Sequence, residues 1–231
     1  MAGDRHDRSH VIRADRAVRA VLRKLLSVVG LRTAMELRGI SCLPLEEVPP
    51  PKKSVTSSRA FGKPIDHLGE LYEAVASYTA RAAEKIREQE SLATTMVVFV
   101  ELHPFNKDRP GYFHVRVTLP EPTDYTPHLI HYAKSAVREL FKEGNAYRKA
   151  GIILDGLVPD HNYQRDLFAT QHIDIEKQKR VMKMLDAINE QHGHNILHTA
   201  AEGVSKVWKM KQHLRTAKFT TSWEDLLKIK I

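Results

Sequence analysis

The sequence predicts an α+β fold, a split βαβ sandwich in which a four-stranded antiparallel sheet carries two helices on one face. Three observations predict it. Residues 112–119 alternate Phe113, Val115, Val117 and Leu119 with Tyr112, His114, Arg116 and Thr118, the period of two of a strand buried on one side. Two longer stretches repeat their apolar residues at helical spacing. The segments follow the order strand, helix, strand, strand, helix, strand. A helical N-terminal fragment and a small α+β C-terminal extension are expected on either side of this domain.

The opening residues, 1–10, are polar and show no periodicity. From Val18 onward Val21, Leu22, Leu25, Leu26 and Val29 share one helical face, and Gly30 is placed to end that helix. A short helical stretch from Arg32 to Arg38 stops at Gly39. Pro49, Pro50 and Pro51 favour an extended strut, so 48–53 reads as a linker after a helical fragment at 1–47. The main domain, 54–159, opens with a strand from Ser54 to Phe61. Asp66 is a candidate cap for a helix whose Leu68, Leu71, Tyr72, Val75, Ala82, Ala83 and Ile86 share a face. Thr94 to Leu102 reads as a strand with Met96, Val98, Val100 and Leu102 pointing one way, and Tyr112 to Leu119 as the next. Thr126-Pro127 begins the second helix, with proline where its missing N–H does no harm. Its stripe is Leu129, Ile130, Ala133, Val137, Leu140 and Phe141, and Gly144 stops it. Ala150, Ile152 and Leu154 mark a fourth strand. A polar bridge at 160–173 leads to a basic extension, 174–231. There a helix from Asp174 to His192 is expected to pack through Val181, Met182, Leu185 and Ile188, followed by a short strand at Ile196 to Ala200.

At 231 residues and 42% hydrophobic content, the chain can build a core for one medium domain or two small ones. A net charge of +8 and a pI near 9.5 point to a polyanionic partner. Nucleic acid is the first candidate and a membrane surface the second; no stretch is long and apolar enough to span a bilayer, and no membrane partner is expected. The charged opening lacks a signal-peptide pattern, and the single cysteine, Cys42, excludes an internal disulfide. A reducing cytoplasm is the expected location.

The sheet face away from the helices is expected to carry Thr95, Glu101, His114, Arg116, Thr118 and Lys149, leaving it polar and open. Two nucleic-acid readings fit. One is backbone recognition, in which hydroxyls, cations and backbone amides bond to phosphates without reading bases; Ser57, Ser58, Arg59, Lys63, Arg116 and Lys149 suit it. The other is an RNA-recognition type module for single strands. Asp108 to Val115 is a partial match for its third strand, with Tyr112 and His114 facing outward, but Val55-Thr56-Ser57-Ser58 offers no stacking aromatic on the first. The same residues also suit an ordinary solvated sheet.

Several motifs carry a family resemblance. Glu36-Leu37-Arg38-Gly39-Ile40-Ser41-Cys42, followed by Lys52 to Gly62, resembles the junction of thumb and little finger in UmuC-type Y-family DNA polymerases. Tyr78 to Lys85 is similar to the first little-finger helix and Tyr147 to Ile152 to the last strand. Trp208 to Lys211 and Phe219 to Leu226 are similar to the C-terminal extension of this subfamily. The resemblance spans about Val21 to Ile231 and implies a helical thumb remnant in 1–47 and a DNA-binding little finger in 54–159. It also implies translesion synthesis in DNA repair and SOS mutagenesis, at the bacterial nucleoid. The DNA site it implies is Ser57, Ser58 and Arg59, which sit in the matching motif; Lys63, near the first strand, and His114, Arg116 and Lys149, on strand geometry, complete the expected site. Implied partners are damaged or primed DNA, the sliding clamp, a UmuD-type subunit and RecA.

Full-length members use magnesium held by palm carboxylates, clamping the attacking and leaving oxygens. Upstream of the matched region the only acids are Asp4, Asp7 and Asp15, in a segment unlike a palm. The expectation is therefore a C-terminal portion with no cofactor and no catalytic residues of its own.

Gln164-Arg165-Asp166-Leu167-Phe168 fits a clamp-binding pattern, Leu167 and Phe168 for an apolar pocket and Gln164 for its rim, with Asp166 between. The family places its clamp peptide in the same bridge; Arg165 departs from the leucine common there. His192, His194 and His198 lack cysteine or carboxylate companions at ligand spacing, so no metal site is expected. Cys42 reads as a small buried apolar residue, and Trp208 and Trp223 as core anchors of the extension, with stacking on single-stranded DNA as the alternative.

Overall fold

Which side of each strand is apolar decides the architecture. The computed structural model describes residues 20–21, 23–25, 27–43, 45, 50–102, 111–162, 174–193, 195–210 and 216–226. The pentapeptide at 164–168, the opening 1–19, His194, residues 46–49 of the linker region and 108–110 of the RNA-type motif lie outside them. The chain divides into two units, Met1–Pro50 and Pro51–Ile231.

In the first unit, the described positions from 20 to 36 are helical (α1), and the helix runs through Gly30 rather than ending there. A glycine inside a helix costs only about 1 kcal/mol. Gly39, at φ +77°, closes the helix instead. Its N–H donates to the Glu36 carbonyl at 2.9 Å and the Ile40 N–H to the Met35 carbonyl at 3.0 Å. This is the paired bonding that a left-handed glycine permits. Cys42 is half-buried, its Sγ 3.7 Å from the Arg32 carbonyl and 3.6 Å from that of Ile40.

The second unit holds the sandwich: β1 (Ser54–Ile65), α2 (Leu68–Glu88), β2 (Ser91–Leu102), β3 (Tyr112–Thr123), α3 (Thr126–Leu140) and β4 (Tyr147–Asp155). The α+β class and the order of elements are as the sequence predicts. The sheet order is β1-β4-β2-β3 with every neighbour antiparallel. Hence β1 and β2 run parallel with β4 between them, and β3 and β4 run parallel with β2 between them. Each strand–helix–strand unit is thus split by one antiparallel strand. A fifth, short strand, β5 (Val158–Pro159), pairs with Ser91 and Leu92 and was not expected. β3 runs on through Pro120 and Pro122. As an edge strand it can do without those N–H groups, and its register slips there, from Thr95↔Thr118 to Ala93↔Thr123.

Three registered rows form the buried face: Val55–Leu154–Met96–Val117, Ser57–Ile152–Val98–Val115 and Arg59–Ala150–Val100–Phe113. Leu154, Met96, Ile152, Val98, Ala150 and Val100 are fully buried, and the apolar stripes of α2 and α3 close over them. Each such aliphatic side chain contributes about 1.5–3 kcal/mol on burial. α3 starts at Thr126-Pro127 as expected. The N-cap of α2 is His67, not Asp66; neither makes a side-chain cap, and the Asp66 carboxylate lies 3.6 Å from His67 Nε2.

The C-terminal segment packs on the sandwich. α4 (Ile175–His192) is capped by Asp174, whose carboxylate accepts from the Lys177 N–H at 3.0 Å. Its expected stripe is partly wrong: Val181 is 45% and Ile188 36% exposed, while Met182 and Asn189 are buried. The Asn189 amide holds Leu197 through two 2.8 Å bonds, to its N–H and its carbonyl. That clip leaves 196–200 without the expected strand; a 3-10 turn, Ala200–Glu202, follows, and Glu202 is buried against Ser77 of α2. Trp208 is buried, as expected of a core anchor, and the core it enters is that of the sandwich, edge-on to Phe61 and Tyr78 at 6.2 and 5.7 Å. The Gly62 N–H donates to the Trp208 carbonyl at 3.0 Å. A Cβ at residue 62 would sit 2.8 Å from the Lys209 carbonyl oxygen, so only glycine lets the segment lie this close. Trp223, also expected in a core, is 87% exposed.

Arg87 ties three elements together. Its guanidinium donates to both oxygens of Asp186 on α4 at 2.6 and 2.8 Å, and to the Asp124 carbonyl and the Thr126 hydroxyl, each at 2.9 Å. The arginine side chain is 10% and Asp186 29% exposed, so the pair is shielded enough to matter. Asp186→Ala is expected to destabilise the chain by about 2–3 kcal/mol, by leaving a nearly buried guanidinium short of its carboxylate. Urea unfolding at neutral pH measures this; a change under about 0.5 kcal/mol would place Arg87 among ordinary surface pairs.

Candidate nucleic-acid interface

Strand alternation sorts the expected site residues onto two sides. The open face has its own registered rows: Ser54–Asp155–Thr95–Thr118, Thr56–Ile153–Val97–Arg116, Ser58–Gly151–Phe99–His114 and Ala60–Lys149–Glu101–Tyr112. Ser58, His114, Arg116 and Lys149 therefore share one surface, with hydroxyls of Ser54, Thr56, Thr95 and Thr118 between them. Ser57 and Arg59 do not join them. They stand in the rows of Ile152 and Ala150, on the helix side of the sheet, Ser57 half-buried and Arg59 exposed. The expected grouping of Ser57, Ser58 and Arg59 on one DNA-facing surface is thus corrected, because consecutive strand residues point to opposite faces. Lys63 is exposed, in the irregular stretch after Ala60 where pairing with β4 lapses.

The cations of the open face are paired. The Glu101 carboxylate accepts from Arg148 at 2.9 Å and from Lys149 at 3.2 Å. Arg116 reaches Asp155 at 3.4 Å, across a mostly exposed contact. The hydrogen bond from Arg148, opposed by partial burial and aided by Lys149, holds the Glu101 carboxyl below its ordinary range. It is therefore ionised at neutral pH, and its pairing is lost only as pH falls through that lowered value. At the half-buried Asp124, desolvation pushes the carboxyl upward against the pull of Arg87.

Tyr112 and His114 face outward as the sequence predicts, and they join a third aromatic, Phe99, that the sequence pattern did not single out. Phe99, on the central strand β2, is 5% exposed and packs over Gly151, where a Cβ would collide with its ring and with Ser58. Tyr112 lies 5.3 Å from the Phe99 ring centre and His114 lies 5.6 Å from that of Tyr112, both tilted. Lys149 Nζ sits 5.8 Å above Phe99. The signal was present: Phe99 has the opposite parity to Met96, Val98 and Val100. Tyr112 is 52% exposed and His114 is exposed too, so the cluster offers two accessible rings beside a buried one. No group of three or more His, Cys, Asp or Glu is placed to hold a metal among the described residues. Nor is any described helix long and apolar enough to cross a membrane.

Residues 52–167 match the model of the impB/mucB/samB family C-terminal domain, and residues 179–229 match a domain of unknown function (DUF4113). The chain is 35% identical to Protein UmuC of Salmonella typhimurium over 211 residues, which are 91% of this chain and 50% of that protein. It is 27% identical to DNA polymerase IV of Moorella thermoacetica over 189 residues, 78% of this chain and 43% of that protein. A solved complex of a beta-clamp processivity factor and the little finger domain of PolIV aligns with a TM-score of 0.36 and 18% identity, covering 51% of this chain and 99% of that one. The chain spans about half the length of the curated relatives it matches. With the family model covering half of its residues, from 52 to 167, this chain belongs to the impB/mucB/samB family and carries that family's C-terminal domain.

Proposed function

We propose that the chain is a DNA-gripping, non-catalytic portion of a translesion polymerase. The observation that carries this is the open sheet face, set within the segment that matches the family domain. The relatives named DNA polymerase IV support a polymerase context. The proposed contact surface is Ser58, His114, Arg116 and Lys149, with the Ser54, Thr56 and Thr118 hydroxyls beside them. Such a surface suits phosphates rather than base edges. Glu101 and Asp155 hold its cations until DNA arrives, so binding exchanges one set of charge-assisted bonds for another. Magnesium and a palm belong to the complete polymerase in this reading. The expected readout in a primer-extension assay of this chain alone is therefore no extension.

A second reading keeps Tyr112 and His114 as a stacking surface for single strands, favoured by their contact with Phe99 on one open face. Tighter binding of single-stranded RNA than of primer-template DNA would select it.

Clamp tethering rests on Gln164, Asp166, Leu167 and Phe168 in the sequence. They follow the 3-10 turn Asp160–Asn162 that ends the described part of the domain. A UmuD-type subunit and RecA are proposed partners on the family resemblance alone.

DNA affinity of the chain should fall steeply with salt, and Arg116→Ala with Lys149→Ala should flatten the slope of log affinity against log salt by about 2. Glu101→Gln should raise affinity by freeing Arg148 and Lys149. A slope unchanged in the double variant, or weaker binding by Glu101→Gln, would remove the open face from the interface. Separately, Leu167→Ala with Phe168→Ala should abolish binding to immobilised sliding clamp while leaving DNA affinity within about twofold, since a few apolar anchors dominate such contacts. Retained clamp binding would show that the peptide is not the tether.

A further inference from the structure

A cavity of about 470 Å³ lies between β1, α2, α4 and the segment 195–210, behind the sheet face described above. Such a volume is that of a small-molecule site rather than a pair of waters. Three buried polar atoms that lack any partner belong to residues lining it: the Tyr78 hydroxyl, the Trp208 indole Nε1 and His198 Nδ1. Tyr78 and Trp208 are each 5% exposed. Native proteins seldom leave such groups unsatisfied, and an indole N–H can only donate. Burial pushes the Tyr78 hydroxyl far upward, against the lesser pull of Arg59, so it too is a donor at every working pH.

The charges agree. Five cations line the cavity (Arg59, Arg81, Arg87, Lys206, Lys209) against three carboxylates (Glu84, Asp186, Glu202), a surplus of two. Arg87 is committed to Asp186 and Lys206 to Glu202. Arg59, Arg81 and Lys209 make no ion pair among the described residues. Donors from several directions and a surplus of two positive charges call for a compact oxyanion with acceptors all round. A phosphate meets that better than a planar carboxylate. Ala60, Ala80, Leu185, Leu197 and Met210 supply apolar lining for the rest of an ester.

We propose that this cavity is a phosphate-ester site, in which Arg59, Arg81, Tyr78, Trp208 and His198 hold the phosphate. It gives Arg59 a role on the side of β1 where alternation puts it, independent of the open face. The ester is either a free nucleotide or the phosphate of a DNA strand passing the β1 edge.

The test uses the full chain carrying Trp223→Phe, a change at a residue 87% exposed, so that Trp208 gives the single indole N–H signal in a nitrogen–proton correlation spectrum. Deoxyadenosine monophosphate, inorganic phosphate, citrate and a short DNA duplex are titrated in turn. Saturable movement of the Trp208 signal by the mononucleotide is expected and assigns a free ester; movement by the duplex alone assigns a strand phosphate. Arg59→Gln with Arg81→Gln should weaken binding about tenfold or more, and Tyr78→Phe several-fold, with the remaining signals reporting an intact fold. The proposal is overturned if no phosphate compound moves the Trp208 signal, if citrate binds as well as the mononucleotide, or if the arginine variant binds unchanged. Because DNA binding through Arg116 and Lys149 is read separately, either proposal can fail without the other.

Discussion

Everything in the second unit depends on burying one face of the sheet and only one. The Ile152–Val98 pair, at the centre of two strands flanked on both sides, fixes the register of β4 on β2. A slip of β4 by one residue would turn Ile152 and Leu154 to water and bring Gly151, Lys149 and Asp155 inward. That cost, several kcal/mol for each misplaced aliphatic or charged residue, is what makes the rows so regular. The surface chemistry follows as a consequence: every polar residue on the open face is there because its neighbours along the strand are required in the core.

The C-terminal segment obeys a different constraint. It has no sheet of its own to complete, so it uses single anchors: Trp208 in the sandwich core, Asn189 clipping Leu197, Glu202 buried beneath α2, and Asp186 on Arg87. Glycine at 62 lets the backbone of residues 208–210 approach β1 closely enough to bond. Anchoring by a few points rather than by a continuous face leaves a space between the segment and α2. The unpartnered Tyr78, Trp208 and His198 groups belong to residues around that space.

Much of the fold was legible because period-two and helical patterns come from burial, which sequence records directly. The alternation at 112–119 and the stripes of α2 and α3 read true. In β1 the same alternation, with Val55 and Phe61 inward, carries Ser57 and Arg59 to their side and leaves Ser58 facing outward. Phe99 was missed because an aromatic on the polar side looks like noise until Gly151 opposite it is seen to make room. α4 was over-read, since Val181 and Ile188 keep helical spacing yet meet little of the sandwich. The partners of Trp208 and Asn189 lie beyond sequence pattern: Phe61 and Leu197 are set by tertiary approach and not by any period.

The central claim is that DNA meets the open sheet face. Mapping backbone amide shifts while a primer-template duplex is added tests it most directly. The account predicts that Ser58, His114, Arg116 and Lys149 move together, while Ala133 and Val137 within α3 stay fixed. Perturbation confined to the helices, with the Ser58–His114 row unmoved, would contradict it.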